Sequence, residues 1–263
     1  MSPRLADAFA RSRERGEGAL VAYAMAGDPD LRRSVEILVA MVEGGADVLE
    51  LGVPFSDPIA DGPVIQGASE RALRAGATLK RVLDEVVPEV RRRCPETPLV
   101  MMTYVNIVMA MGDAAYAARA TALGITGTIL PDLPPEESGP FRKLLDAAGV
   151  DLVPLCAPTT SPERAERIAR DARGFLYCVS VAGVTGARAD LPEDLGARLD
   201  ALRKVASVPV VAGFGVSTAA HARALASHCD GVVVGSAIVR AAHESGPEGA
   251  RRVCHDIKQA LRR

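Results

Sequence analysis

Leu49-Glu50-Leu51-Gly52-Val53-Pro54-Phe55-Ser56-Asp57-Pro58-Ile59-Ala60-Asp61-Gly62 begins as a strand and breaks into a proline-rich loop at Gly52. The strand part, 47–51, is apolar on both faces after Asp47 except for Glu50, the pattern of a strand covered by helices on either side rather than by water. An ionised Glu in such a run costs several kcal/mol unless something compensates it. Glu50 is therefore either a salt-bridged core residue or a group whose surroundings suit it to proton chemistry. Asp61, eleven positions on, is either an ordinary turn residue or the second carboxylate of a pair.

The same kind of run recurs on both sides of this stretch. Short apolar, β-branched segments fall at 19–24, 47–51, 99–104, 127–130, 151–155, 175–179, 209–213 and 231–235. Amphipathic helical patterns separate them at 31–43, 79–93, 114–123, 136–148, 162–172, 195–205 and 219–226, and another closes the chain at 248–261. Eight consecutive βα units with strands buried on both faces predict a single-domain (β/α)8 TIM barrel over 1–263. The rival, a doubly wound open sheet, usually carries a dinucleotide fingerprint, and Gly213-Phe214-Gly215 lacks the glycine three residues later. Two connections are long, 52–78 after the second run and 180–194 after the sixth. Both leave the C-terminal ends of strands, where barrels of this class place their active sites.

Composition limits the function. With 48% hydrophobic and 24% charged residues and a net charge of −2, the chain has material for a large core and no basic arm for nucleic acid. The run Arg91-Arg92-Arg93 reads as a helix end. The five cysteines are scattered without a CxxC pair, as expected of reduced thiols in a cytoplasmic protein rather than a disulfide frame or zinc site. No signal-peptide layout opens the chain, and no apolar run approaches the ~20 residues of a membrane span.

Read as a ring, the strand ends describe a pocket. Tyr23, Tyr104 and Tyr177, three of the four tyrosines, fall at or near the ends of the first, third and sixth runs. They suit a flat aromatic ligand, although bulky residues filling a barrel mouth would give the same pattern. Gly213, Phe214 and Gly215 end the seventh run, and Gly235 and Ser236 end the eighth at a helix start. Gly183, Val184, Thr185 and Gly186 lie in the loop after the sixth. Glycines there let backbone N–H groups approach a phosphate, though glycine at a turn is common. The four lysines all fall in helical stretches, so no Schiff-base lysine stands at a strand end. The four histidines fall on helices in the last quarter and form no metal cluster. Asp28 and Asp132, after the first and fourth runs, read as capping and turn residues. Acid–base chemistry by Glu50 and Asp61 on a phosphorylated, aromatic substrate remains.

The stretch 49–66 resembles the signature of the tryptophan synthase alpha chain family. Gly27-Asp28-Pro29, Val184-Thr185-Gly186, Gly213-Phe214-Gly215 and Gly235-Ser236-Ala237-Ile238-Val239 extend the likeness along the chain. The resemblance implies a (β/α)8 barrel that splits indole-3-glycerol phosphate into indole and glyceraldehyde 3-phosphate with neither metal nor organic cofactor. It assigns Glu50 to the general acid–base, Asp61 to the second catalytic carboxylate and Tyr177 to the substrate pocket. Gly183, Val184, Gly186, Gly215 and Ser236 fall to the phosphate site, with Gly213, Phe214 and Gly235 beside it. It also implies a pyridoxal-phosphate-dependent beta chain as partner in an alpha2-beta2 tetramer, contacted through a loop containing Pro54 and Asp57. Val181 departs from the family pattern, since many members carry arginine there. Three readings follow: a lyase subunit in tryptophan biosynthesis, a stand-alone lyase releasing indole, and a catalytically idle activator of a beta chain.

Overall fold

The computed structural model describes residues 2–179, 192, 194–213 and 215–262. Nine parallel strand segments make one sheet among them: β1 (Ala19–Met25), β2 (Val48–Gly52), β3 (Leu99–Met102), β4 (Gly127–Ile129), β5 (Asp151–Leu152), β6 (Leu155–Cys156), β7 (Leu176–Val179), β8 (Val210–Gly213) and β9 (Gly231–Val234). Their order is β5-β4-β3-β2-β1-β9-β8-β7-β6. The outermost segments of that order, β5 and β6, are two halves of one stave separated by Val153 and Pro154. Val153 N–H donates to the Thr128 carbonyl at 2.9 Å, and Tyr177 N–H donates to the Pro154 carbonyl at 3.0 Å, so this stave joins β4 to β7 and closes the barrel. Proline has no N–H to give a ladder, and the stave is interrupted where Pro154 stands. The expected eight-stave barrel is therefore present.

Strands and helices arise where the local chemistry favours them. Every residue of β1 is buried, as a strand between a filled interior and a helical coat requires. The helix Leu31–Glu43 starts where Asp30 accepts from Arg33 N–H at 2.8 Å, and it buries Val35, Leu38, Val39 and Met41. The helices Leu31–Glu43 and Leu195–Val205 have the expected bounds. Three helices were not expected: Pro3–Glu14, Val105–Met111 and Pro63–Arg74. The last occupies much of the connection 52–78, so the loop after β2 is only 53–62. Pro63 at the first helical position is pre-shaped for a helix start, with Gly62 as the N-cap. The final helix runs Ser236–Ala260 with a kink at Gly246 (φ 62°) followed by Pro247. The connection 180–194 lies almost wholly outside the described residues.

The end of the barrel opposite the strand C-termini is tied by buried charge. Lys258 is 8% exposed and reaches Asp47 at 2.7 Å, Glu17 at 3.1 Å and the Gly18 carbonyl at 3.1 Å. Asp47 also accepts from Leu20 N–H at 2.8 Å. The N-terminal segment, β2 and the last helix are fixed together there, leaving the other end for function.

Candidate active site

Glu50 lies in register with Tyr23 on β1 and Val100 on β3. It is 1% exposed, and neither carboxylate oxygen has a hydrogen-bond partner among the described residues. No described cation pairs with it, so a salt-bridged core Glu is ruled out within those residues. Burial pushes its pKa up to about 8, with repulsion from Asp61 adding to the rise. At neutral pH the side chain is mostly a protonated acid.

Asp61 enters the site from the loop after β2 and is 7% exposed. Its N–H donates to the Pro58 carbonyl at 3.0 Å, and its own carbonyl accepts from Gln66 Nε2 at 2.8 Å. Tyr104, just past β3, donates from its hydroxyl to Asp61 Oδ2 at 3.4 Å while accepting from Ala60 N–H at 3.1 Å. Burial raises the Asp61 pKa to about 6, and the Tyr104 hydrogen bond opposes that rise. Two interacting carboxyls thus sit in environments that separate their titrations. Between about pH 6 and pH 8 the pair holds one proton, carried on Glu50, with Asp61 ionised.

The tyrosines close around this pair, and the glycines make room for them. A Cβ on Gly52 would lie 2.1 Å from the Tyr23 hydroxyl, and one on Gly213 would lie 2.3 Å from the Tyr177 ring. A Cβ on Gly235 would meet Tyr23 at 3.3 Å. Gly213 is thus required by Tyr177 packing, a reason the sequence did not reveal. Gly215 has a φ of +94°, open to glycine at little cost. Ser236 begins its helix with Gly235 as N-cap. Phe214, Val181 and the residues Gly183, Val184, Thr185 and Gly186 lie outside the described residues. Tyr104 also stacks against Phe55, ring centroids 4.8 Å apart, which braces the Asp61 loop from a second side.

A cavity of about 690 Å³ adjoins the carboxylates without being lined by either. Ala60, next to Asp61, and Val179, two residues beyond Tyr177, form part of its wall, and Leu130, Val153 and Leu155 give it an apolar side. The unpartnered acid, rather than the larger volume beside it, marks where chemistry is possible.

Several supporting residues were not foreseen. The Ser69 hydroxyl accepts from Phe55 N–H and donates to the Phe55 carbonyl, both at 2.9 Å, pinning the loop to the helix Pro63–Arg74. Asp28 is not a cap: it takes two 2.8 Å hydrogen bonds from Arg71. Asp132 does act as a cap, accepting from Val105 N–H at 3.0 Å for a helix that precedes it in sequence. His221, His243 and His255 are on helices as expected, whereas His228 occupies a turn beside Asp200, 2.9 Å away. The five cysteines are buried and in no disulfide, and no cluster of three or more potential metal ligands occurs among the described residues.

A closed (β/α)8 barrel that sets a buried acid, without a hydrogen-bond partner among the described residues, beside a second carboxylate at the C-terminal ends of its strands is a framework suited to acid–base catalysis. Comparison with known proteins narrows this. The family described as "Tryptophan synthase alpha chain" matches residues 9–262. The chain belongs to that family, whose members catalyse the cleavage of indole-3-glycerol phosphate, a lyase reaction. The tryptophan synthase alpha chain of Geobacter sulfurreducens is 48% identical over 237 residues, spanning 90% of this chain and 89% of its own length. That of Chromobacterium violaceum is 46% identical over 263 residues, 98% of this chain and 99% of its own. Among solved structures, Mycobacterium tuberculosis tryptophan synthase superposes with a TM-score of 0.92 at 36% identity, covering all of both chains. The alpha subunit from Legionella pneumophila superposes with a TM-score of 0.89 at 35% identity, covering 99% of this chain and 98% of that one.

Proposed function

We propose that Glu50 and Asp61 carry the alpha-chain reaction, the retro-aldol cleavage of indole-3-glycerol phosphate to indole and glyceraldehyde 3-phosphate. The observation that supports this most directly is the buried Glu50 carboxyl, which has no partner among the described residues and lies within electrostatic reach of Asp61. Glu50 donates its proton to the ring carbon that bears the glycerol chain. The bond between that carbon and the side chain then breaks, and the adjacent hydroxyl gives up its proton as it becomes the aldehyde. Glu50, now ionised, is placed to take that proton and return to its starting state. Asp61 accepts a hydrogen bond from the indole N–H and stabilises the positive charge that grows on the ring. Tyr23, Tyr104 and Tyr177 shape the aromatic end of the pocket. The phosphate is assigned to the backbone at Gly215 and Ser236, with Gly183, Val184, Thr185, Gly186, Gly213, Phe214 and Gly235 around it. No metal or organic cofactor enters this chemistry.

The family works with a beta chain, and a pyridoxal-phosphate-dependent beta chain in an alpha2-beta2 tetramer is the proposed partner. Ile59 (78% exposed), within the loop that holds Pro54, Asp57 and Asp61, and Met109 (66% exposed), on the helix that follows Tyr104, support this reading, because both project apolar surface beside the site. The proposed compartment is the cytoplasm; no helix among the described residues is long and apolar enough to cross a membrane. Intact carboxylates favour a lyase over an idle activator. Indole release should be measured for the purified chain and for Glu50→Gln, with and without beta chain. A loss of at least ~10²-fold in the variant is expected of a general acid–base. Retention of more than half the turnover would show that Glu50 is structural.

A further inference from the structure

We infer that Arg71 is a positioning residue for Asp61, acting through its two hydrogen bonds to Asp28. The inference rests on the reading of Asp61 as catalytic. Asp61 stands immediately before Gly62, the N-cap of the helix Pro63–Arg74. Its carbonyl is bound by Gln66 from the first turn, so the backbone of Asp61 moves with that helix. Ser69, on the same helix, holds Phe55 by its N–H and carbonyl and fixes the other arm of the loop. The helix is therefore the rigid body to which the catalytic loop is attached.

That body is anchored at its far end by Arg71. Arg71 Nε and a terminal nitrogen meet the two Asp28 oxygens at 2.8 Å each, a planar fork that fixes both distance and angle. Asp28 sits just beyond β1, whose Tyr23 faces Glu50 in register. Gly27 presses against the segment after the helix, where a Cβ would stand 2.5 Å from that of Ala77. The fork thus references the loop carrying Asp61 to the strand beside Glu50. It is partly exposed, with the Arg71 side chain at 29% and that of Asp28 at 11%, so its value lies in geometry more than in stability. Misplacement of a catalytic group by about 1 Å costs on the order of 10²-fold in rate.

The test compares Arg71→Gln, Asp28→Asn, the double variant and Arg71→Lys with the wild type in indole formation, with folding checked by circular dichroism. Arg71→Gln should lower kcat about 10- to 100-fold while KM changes little. Arg71→Lys keeps the charge but not the fork and should fall between; it carries the test if Arg71→Gln fails to fold. The double variant should lose no more than either single one, because both remove one interaction. The groups acting on Asp61 are Glu50 from β2, Tyr23 from β1, Tyr177 from β7 and Tyr104 beyond β3. All stay in place in these variants. A loosened loop admits water to Asp61, so the acid limb of the kcat profile should move to lower pH, which a uniform loss of folded enzyme would not produce. Wild-type kcat in Arg71→Gln, multiplying losses in the double variant, or an unmoved acid limb would overturn the inference. Amide exchange at Ala60 and Asp61 separates this from failure of the catalytic reading. Exchange should quicken in Arg71→Gln whatever the reaction, and unchanged exchange would refute the anchor itself.

Discussion

Replacing Glu50 by Gln should remove activity and at the same time stabilise the protein. Glu50 has an ordinary pKa of 4.5 and one of about 8 in the folded chain. Between those values the unfolded chain binds fewer protons than the folded one, so wild-type stability falls as pH rises through that window. Each pH unit within it costs up to ~1.4 kcal/mol, which reaches about 3 kcal/mol at pH 7 and about 5 kcal/mol above pH 8. Glutamine has nearly the shape of the protonated acid and carries no charge, so the variant escapes this dependence. Urea unfolding of both proteins at pH 5, 7 and 9 should show a gap below ~1 kcal/mol at pH 5 that widens in favour of Glu50→Gln. At pH 7 the corresponding shift in Tm is on the order of 6 to 10 °C for a chain of this size. A variant no more stable than wild type at pH 7 and 9, or a gap independent of pH, would show that the buried carboxyl is compensated after all.

Tyr104→Phe removes the hydrogen bond that opposes the rise in the Asp61 pKa, so the acid limb of kcat should move upward from about pH 6, opposite to the shift expected for Arg71→Gln. Ser236→Ala should weaken binding of glycerol phosphate by ~1–1.5 kcal/mol if its hydroxyl donates to the phosphate, as read by calorimetry; unchanged affinity would leave only backbone contacts at that position. Met109→Asp should weaken association with the beta chain at least ~10-fold in a titration while leaving the basal lyase rate of the free chain intact. Ile59→Asp, in the loop that carries Asp61, should weaken association as much and is read by association alone, and unaltered association in both would place the partner surface elsewhere.

The barrel was legible because its strands are apolar on both faces and its helices are periodic and well punctuated. Asp30, Ser161 and Thr218 each accept from a first-turn N–H where a helix was expected to start. The helix Pro63–Arg74 was hidden by Pro54, Pro58, Gly62 and Pro63, which read as loop although Pro63 marks a helix start. The helix Val105–Met111 continues the apolar run of β3 almost without a break, and period alone cannot divide such a run. In the site, a Glu inside an apolar strand and three tyrosines at strand ends carried a local signal. The Arg71–Asp28 fork joins residues 43 positions apart, each ordinary in its own neighbourhood, and only the folded chain brings them together. The Tyr177–Gly213 contact was hidden in the same way: glycine at a strand end signals close approach without naming what approaches.

The most direct test is the pH dependence of kcat/KM for cleavage of indole-3-glycerol phosphate by the wild-type chain, measured from pH 5 to pH 9 with and without beta chain. With Asp61 ionised and Glu50 protonated as the working state, the profile should be a bell with limbs near pH 6 and pH 8. A flat profile, or activity still rising at pH 9, would contradict the assignment of the proton to Glu50. No indole in either condition would refute the lyase reading and leave the idle activator.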